Sequence, residues 1–266
     1  MREPSSPESP GQPHLCAYLD LAAASAAARD IAIREISNAL RARHSARVIL
    51  AGGETPRQAY LGMARRIAKE RLPVERILWF FGDERWVPRD HPQSNEGMAS
   101  ETLLRQIRAP GETVFSWHAG GGDPVESARR YGQTVRRLMG GAGSRPDLVL
   151  LGMGADGHTA SLFPGSVAHV PGSGEFPVGP DIPGEAAAIY VPTARGWRLT
   201  LCPVFLRTAR CTVFLVSGAD KGPVLRRALE SDPAVPASWV RGDSTCFIAT
   251  RDALGERSPA ERGGRQ

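Results

Sequence analysis

Four short apolar runs, each ending at or just before a glycine, constrain the fold of this 266-residue chain more than any other feature. They lie at 47–51, 76–82, 148–151 and 211–217, and segments with helical spacing of apolar residues separate them. Continuous apolar runs are typical of strands buried on both faces of a parallel sheet. Strands that alternate with helices predict an α/β fold. We therefore predict a doubly wound, mostly parallel sheet with helices on both faces.

The remaining segments continue this alternation and form one domain. The apolar periodicity predicts further strands at 113–117, 187–191, 197–201 and 245–249, and helices over 22–43, 59–68, 94–107, 123–139, 204–210 and 222–230. The segment 164–184 is rich in Gly and Pro and is expected to be irregular, either a lid or a surface loop. We place a single α/β domain at 18–254, with polar, disordered tails at 1–17 and 255–266.

The composition favours a cytoplasmic protein, and its positive charge is compatible with an anionic small substrate without requiring one. No apolar run is long enough to span a bilayer, and the proline-rich start has no apolar core typical of a secretory signal. The four cysteines are scattered, which favours reduced thiols. Arginine pairs within predicted helices account for much of the +5 charge and are read as solvated faces. We expect no membrane or nucleic-acid partner.

Two of the predicted loops carry groups suited to binding an anion. The loop after the first run contains Gly52, Gly53 and Thr55, whose backbone N–H groups and hydroxyl could face a phosphate at a helix N-terminus. The loop after the second run contains Asp83 and Arg85, followed by Asn95. A guanidinium can hold phosphate or stabilise an oxyanion, whereas the alternative for these charges is a surface ion pair.

The third loop delivers an Asp-Gly-His triplet from a glycine-rich turn. His158 follows a buried strand, and Asp156 could orient its imidazole or contact a substrate. In the last third of the chain, Arg198 and Lys221 are further candidates for phosphate binding. No His, Cys and carboxylate cluster has metal-ligand spacing, so we expect no metal site.

In this order, the loops resemble those of the 6-phosphogluconolactonase family. The matching segments are AGGETP, FFGDERWVP with a later SN, PDLVLLGMGADGHTASLFPGS, RLTL and the lysine of GADKG, over about 48–239. The DGHTASLFP segment is highly specific. The GGxTP loop is shared with sugar-phosphate isomerases and deaminases of the same superfamily.

The resemblance implies a Rossmann-like sheet and cofactor-free hydrolysis of a phosphorylated sugar lactone in the oxidative pentose phosphate pathway. His158 would be the general base with Asp156 beside it. Asp83 and Arg85 would face the lactone or its oxyanion. Phosphate binding would fall to Gly52, Gly53, Thr55, Asn95, Arg198 and Lys221. The protein is expected to be a monomer or a weak homo-oligomer.

One departure and two alternatives accompany this prediction. The first loop of the family often reads SGGST, whereas Ala51 and Glu54 stand here. Glu54 should therefore point away from the phosphate, or the phosphate site is reorganised. An amino-sugar-phosphate deaminase or isomerase is the first alternative, but such deaminases have a glutamate where this chain reads Leu162-Phe163-Pro164-Gly165. The second is a non-catalytic sugar-phosphate-binding domain of a regulator. Such a protein needs a DNA-binding module, and we expect none here because the residues before the first predicted helix are too few for one.

Overall fold

The fold is taken from a computed structural model, which describes residues 12–139, 141, 145–194 and 196–256. The strands are β1 His14–Tyr18, β2 Ala46–Leu50, β3 Ile77–Phe81, β4 Asp83–Arg85, β5 Leu148–Leu151, β6 Val167–Val170, β7 Gly174–Pro177, β8 Ala186–Val191, β9 Gly196–Leu201, β10 Cys211–Val216 and β11 Ser244–Thr250. The α-helices are α1 Leu21–Arg43, α2 Arg57–Glu70, α3 Asn95–Ala99, α4 Pro124–Met139, α5 Pro203–Leu206 and α6 Gly222–Leu229. A π-helical segment, Ser100–Leu104, extends α3. None of the helices in these ranges could cross a membrane.

The main sheet has six parallel strands in the order β1-β11-β10-β5-β2-β3. From β2 the chain moves outward to β3, and from β5 it moves outward in the opposite direction to β10 and β11. The strand order therefore reverses between β2 and β5, as it does in doubly wound folds. Helices flank this sheet, so the predicted fold class is confirmed.

Helix α1 packs along the main sheet through a face of small residues. Asp20 caps its first turn by accepting a hydrogen bond from the Ala23 N–H at 2.8 Å. The helix ends at His44, which has a left-handed φ of 59°. Alanine dominates its buried face, with Ala24, Ala28 and Ala32 at four-residue spacing. Small side chains let the helix approach the strands closely, and α1 contacts five of the six strands.

A second sheet, which the sequence pattern did not predict, is antiparallel and has the order β4-β9-β8-β6-β7. Gly82 joins the two sheets, because its N–H donates to the Leu50 carbonyl and its own carbonyl accepts from the Leu201 N–H, both at 2.9 Å. Helix α4 packs against this second sheet. Only Gly82 separates β3 of the main sheet from β4 of the second sheet, so the chain passes directly from one sheet into the other.

The structure corrects three of the sequence-based boundaries. Residues 14–17, assigned to a disordered tail, belong to β1, which pairs with β11 along its whole length; residues 1–11 and 257–266 lie outside the described residues. The segment 164–184, expected to be irregular, contains the β6–β7 hairpin. The expected strand at 113–117 is reduced to a single bridge between Val114 and Trp79, because the chain turns through a 3-10 helix just before it.

Candidate active site

A cavity of about 180 Å³ lies at the carboxyl ends of β2, β3 and β5, where the strand order reverses. Loops that follow parallel strands meet at one edge of the sheet, which is where open α/β sheets bind ligands. Seven of the predicted site residues line this cavity: Gly52, Gly53, Thr55, Asp83, Arg85, Asn95 and His158. Asp156, Arg198 and Lys221 lie outside its lining.

His158 and Asp156 form a hydrogen-bonded pair at the edge of the cavity. Nδ1 of His158 lies 2.5 Å from Oδ1 of Asp156, and the same oxygen accepts the His158 backbone N–H at 3.1 Å. Burial alone would raise the pKa of Asp156, but these hydrogen bonds outweigh it and hold that pKa below its ordinary value. An ionised carboxylate can only accept, so in the neutral form of the imidazole Nδ1 carries the proton and Nε2 presents its lone pair. This arrangement suits a general base.

The turn around this pair fits it closely. A Cβ placed on Gly154 would lie 2.1 Å from Nδ1 of His158 and 2.6 Å from Oδ1 of Asp156, so only glycine leaves room for the pair. Gly157 has a φ of +82°, which glycine adopts without strain. The imidazole packs on the ring of Phe163 with their centroids 4.3 Å apart. The His158 ring is therefore held on two sides.

Arg85 reaches the cavity from β4 and is held there by neutral oxygen atoms. Its Nη1 donates to the Asn95 side-chain oxygen at 2.6 Å and to the Gln93 carbonyl at 2.8 Å. Arg198 is its direct partner across the β4–β9 ladder and donates to the Trp197 carbonyl at 3.1 Å. Burial lowers the pKa of Arg198, and the charge of Arg85 lowers it further. The negative charges of Asp83 and Glu84 oppose these two effects on Arg198, so the two guanidinium groups share this side of the cavity with carboxylates.

Asp83 connects the second and third loops through hydrogen bonds. One carboxylate oxygen accepts from the Asn95 side-chain N–H₂ at 3.0 Å, and the other accepts from the Ser161 hydroxyl at 2.7 Å. Its side chain is only 7% exposed. Asn95, predicted to bind phosphate, thus contacts both Asp83 and Arg85. Sequence reasoning missed Ser161, although its place inside the DGHTASLFP segment was a usable signal.

The first loop, predicted to bind phosphate, directs Glu54 away from the cavity. Gly52, Gly53 and Thr55 line the cavity, whereas the Glu54 side chain is 85% exposed and lies 2.9 Å from Nε of Arg57. Its carboxylate therefore points away from the cavity, which is the first of the two outcomes expected from the sequence. A Cβ on Gly52 would lie 1.8 Å from the Asn95 side-chain oxygen, so this glycine allows Asn95 to reach Arg85.

Lys221 follows β10 at the same edge of the sheet but is not part of the cavity wall. Its Nζ lies 2.8 Å from Oδ2 of Asp220, and the lysine side chain is 19% exposed. The hydrogen bond from Lys221 lowers the pKa of Asp220. A phosphate that bound Lys221 would therefore compete with the Asp220 carboxylate for the positive charge of the lysine.

The doubly wound sheet and the imidazole–carboxylate pair at its switch point define an α/β protein with a polar crevice suited to acid–base chemistry. Comparison with known proteins places it more narrowly. The family model for glucosamine-6-phosphate isomerases/6-phosphogluconolactonase matches residues 20–248. The chain therefore belongs to the glucosamine-6-phosphate isomerase/6-phosphogluconolactonase family.

Individual members of this family cover most of the chain. A 6-phosphogluconolactonase from Synechocystis is 36% identical over 77% of this chain and 82% of its own length. One from Nostoc is 32% identical over 80% of this chain and 84% of its own. The crystal structure of the Thermotoga maritima 6-phosphogluconolactonase superposes with a TM-score of 0.75 at 25% identity, covering 89% of this chain and 99% of that one.

Proposed function

We propose that this protein hydrolyses 6-phospho-D-glucono-1,5-lactone to 6-phospho-D-gluconate in the oxidative pentose phosphate pathway. The observation that carries the proposal is the His158–Asp156 pair, 2.5 Å apart, beside a cavity that Arg85 also lines. Ester hydrolysis needs a base for water and a donor for the tetrahedral oxyanion, and these residues supply both. The names of the family members reported above support the same substrate.

In the proposed complex the phosphate binds on the side of the first loop. The backbone N–H groups of Gly52 and Gly53 and the hydroxyl of Thr55 offer donors there. Arg198 and Lys221 add positive charge from β9 and from the loop after β10. Anchoring the phosphate fixes C1 of the lactone against the catalytic water, which converts a diffusional encounter into a positioned one.

The chemistry begins at Nε2 of His158, which takes a proton from water as the water oxygen bonds to C1. The carbonyl electrons move to the oxygen, and Arg85 stabilises the resulting oxyanion. As the tetrahedral intermediate collapses, the bond from C1 to the ring oxygen breaks, and the imidazolium returns its proton to that oxygen. Asp156 stays ionised and stabilises the imidazolium between these two transfers.

Lactone generated in situ and followed above its spontaneous hydrolysis tests the proposal. His158→Ala should lower kcat about 10²–10⁴-fold, the usual contribution of a general base, and leave 6-phosphogluconate binding nearly unchanged. His169→Ala is the matched control, since His169 also pairs with a carboxylate, Glu175 at 3.2 Å, but lies outside the cavity lining. Equal activity of wild type and His158→Ala would disprove the assignment of the base.

Lys221→Ala tests the phosphate site with a second matched control. The variant should weaken binding of 6-phosphogluconate about tenfold or more, as expected for a charge-assisted hydrogen bond, and barely change binding of gluconate. Lys69, the other lysine of the chain, is exposed in the last turn of α2. Calorimetry on Lys221→Ala and on the control Lys69→Ala decides the point: equal losses of 6-phosphogluconate affinity in the two variants would remove Lys221 from the site.

The proposal also includes the localisation, the oligomeric state and the partners of the enzyme. We expect a cytoplasmic protein, a monomer or weak homo-oligomer, with no nucleic-acid partner.

The matching family model includes isomerases as well as lactonases. Phe163, which packs on His158, stands in the segment where the deaminases have their glutamate. Release of ammonia from glucosamine 6-phosphate at a rate comparable to lactone hydrolysis would favour the deaminase instead.

A further inference from the structure

Glu84 lies between two residues of the proposed site but faces away from the cavity. Side chains alternate along a strand, so Asp83 and Arg85 line the cavity and Glu84 lies on the opposite side of β4. Only 2% of Glu84 is exposed. A buried carboxylate is costly unless hydrogen bonds compensate it, so its presence here requires an explanation.

Both oxygens of Glu84 are fully used. Oε1 accepts the backbone N–H groups of Arg85 and Asn95, both at 2.8 Å. Oε2 accepts the N–H of Glu96 at 2.8 Å and the hydroxyl of Ser94 at 3.1 Å. Burial raises the pKa of Glu84 despite the three backbone hydrogen bonds. The carboxylate thus joins β4 to the first turn of α3.

The first turn of α3 carries the residue that orients Arg85. Asn95 is the first residue of α3, and its side-chain oxygen accepts Nη1 of Arg85 at 2.6 Å. Its N–H₂ group donates to Asp83. Glu84 holds the Asn95 backbone from one side of β4, while Asp83 and Arg85 hold its side chain from the other. A displacement of the Asn95 backbone would therefore move the guanidinium.

We propose that Glu84 is a positioning residue, which fixes the Arg85 guanidinium at the oxyanion site through its hydrogen bonds to the Asn95 segment. The inference rests on the proposed role of Arg85 in lactone hydrolysis. Glutamine at this position would be nearly isosteric but would present an N–H₂ group where the carboxylate accepts two hydrogen bonds. In either orientation of the amide, the N–H₂ group would face at least one backbone N–H that loses its acceptor, and the Asn95 segment would shift.

Steady-state kinetics of Glu84→Gln and Glu96→Gln test the proposal. Glu96 is the matched control, because it is a buried carboxylate in the same turn whose side chain contacts Arg89 and Ser116 instead of the cavity residues. E84Q should lower kcat about tenfold or more, since a lost oxyanion donor costs about 10²–10³, with KM within about twofold. E96Q should leave both within about twofold. Equal kcat values for the two variants would overturn the proposal.

A double-mutant comparison separates positioning from general loss of structure. In an Arg85→Ala background, E84Q should change kcat less than about twofold, because its effect passes through the missing guanidinium. A full, additive loss in that background would contradict the proposal. Circular dichroism and melting temperatures check the fold of each variant. If E84Q does not fold, Glu84→Asp, which keeps the charge but withdraws it by one methylene, takes its place in every comparison.

A spectroscopic readout keeps the test independent of turnover. The ¹⁵N-resolved Nε–H resonance of Arg85, identified by its loss in Arg85→Lys, should shift in E84Q and stay in place in E96Q. An unshifted resonance in E84Q would overturn the positioning role even if the enzyme is active. Absence of any lactone hydrolysis by wild type would instead refute the proposed function, and the resonance would still report on the link between Glu84 and Arg85.

Discussion

Replacing Gly154 with alanine would place a methyl group where the imidazole of His158 lies. The added Cβ would be 2.1 Å from Nδ1 of His158 and 2.6 Å from Oδ1 of Asp156. Carbon and nitrogen atoms pack at about 3.5 Å, so the ring must move by about 1.4 Å. Gly154 does not have a positive φ, so the backbone itself tolerates alanine and the clash is the only expected effect.

The displacement should appear in kcat. A shift of about 1 Å in a catalytic group can cost about 100-fold, which corresponds to about 2.7 kcal/mol of the activation barrier. KM should change little, because the predicted phosphate-binding residues lie on other loops. The measurement is hydrolysis of lactone generated in situ, with the spontaneous rate subtracted.

Gly111→Ala serves as the control for this substitution. Gly111 also lacks a positive φ, and a Cβ there meets no atom within 4 Å. Its kcat should equal that of wild type. If Gly154→Ala also keeps wild-type kcat while its melting temperature is unchanged, the imidazole does not need the place that it occupies in the structure, and the assignment of His158 as base loses its geometric support.

Two further predictions concern the phosphate loop and the core. Glu54→Ser should leave KM for the lactone within about twofold, because the Glu54 carboxylate is exposed and points away from the cavity toward Arg57; a large fall in KM would mean that the carboxylate repels the phosphate. Tyr131→Phe should lower the free energy of unfolding by about 1–3 kcal/mol, measured by urea denaturation, since the buried N–H of Phe81 donates to the Tyr131 hydroxyl at 2.8 Å and would lose its acceptor. An unchanged unfolding midpoint would contradict that prediction.

The His158–Asp156 pair was accessible to sequence reasoning because its two members are close in the chain. Asp156 and His158 are two residues apart in a turn with glycines at 154 and 157, so local geometry alone brings them together. The apolar runs that form β2, β3, β5 and β10 were equally readable, because strands buried on both faces need continuous apolar sequence. The meeting of their loops at one edge follows from parallel pairing.

The second sheet was not readable in the same way. The hairpin of β6 and β7 is made of VAHV and GEFP, each only four residues long, and the second contains Gly and Pro. Such segments become strands only when a neighbouring strand supplies hydrogen-bond partners, here β8. The edge strand β1 is a comparable case, since its register depends on β11, more than 200 residues away in the chain.

The class of fold, the strand-end loops and the His158–Asp156 pair were predictable because each of these depends on neighbours in the chain. The way in which the second loop is held depends instead on contacts between residues that are far apart in the chain. Asp83 accepts from Ser161, 78 residues away, and Glu84 caps a turn that begins ten residues later. Which buried donors a carboxylate meets depends on how β4 packs between α3 and β9, and no local pattern encodes that packing.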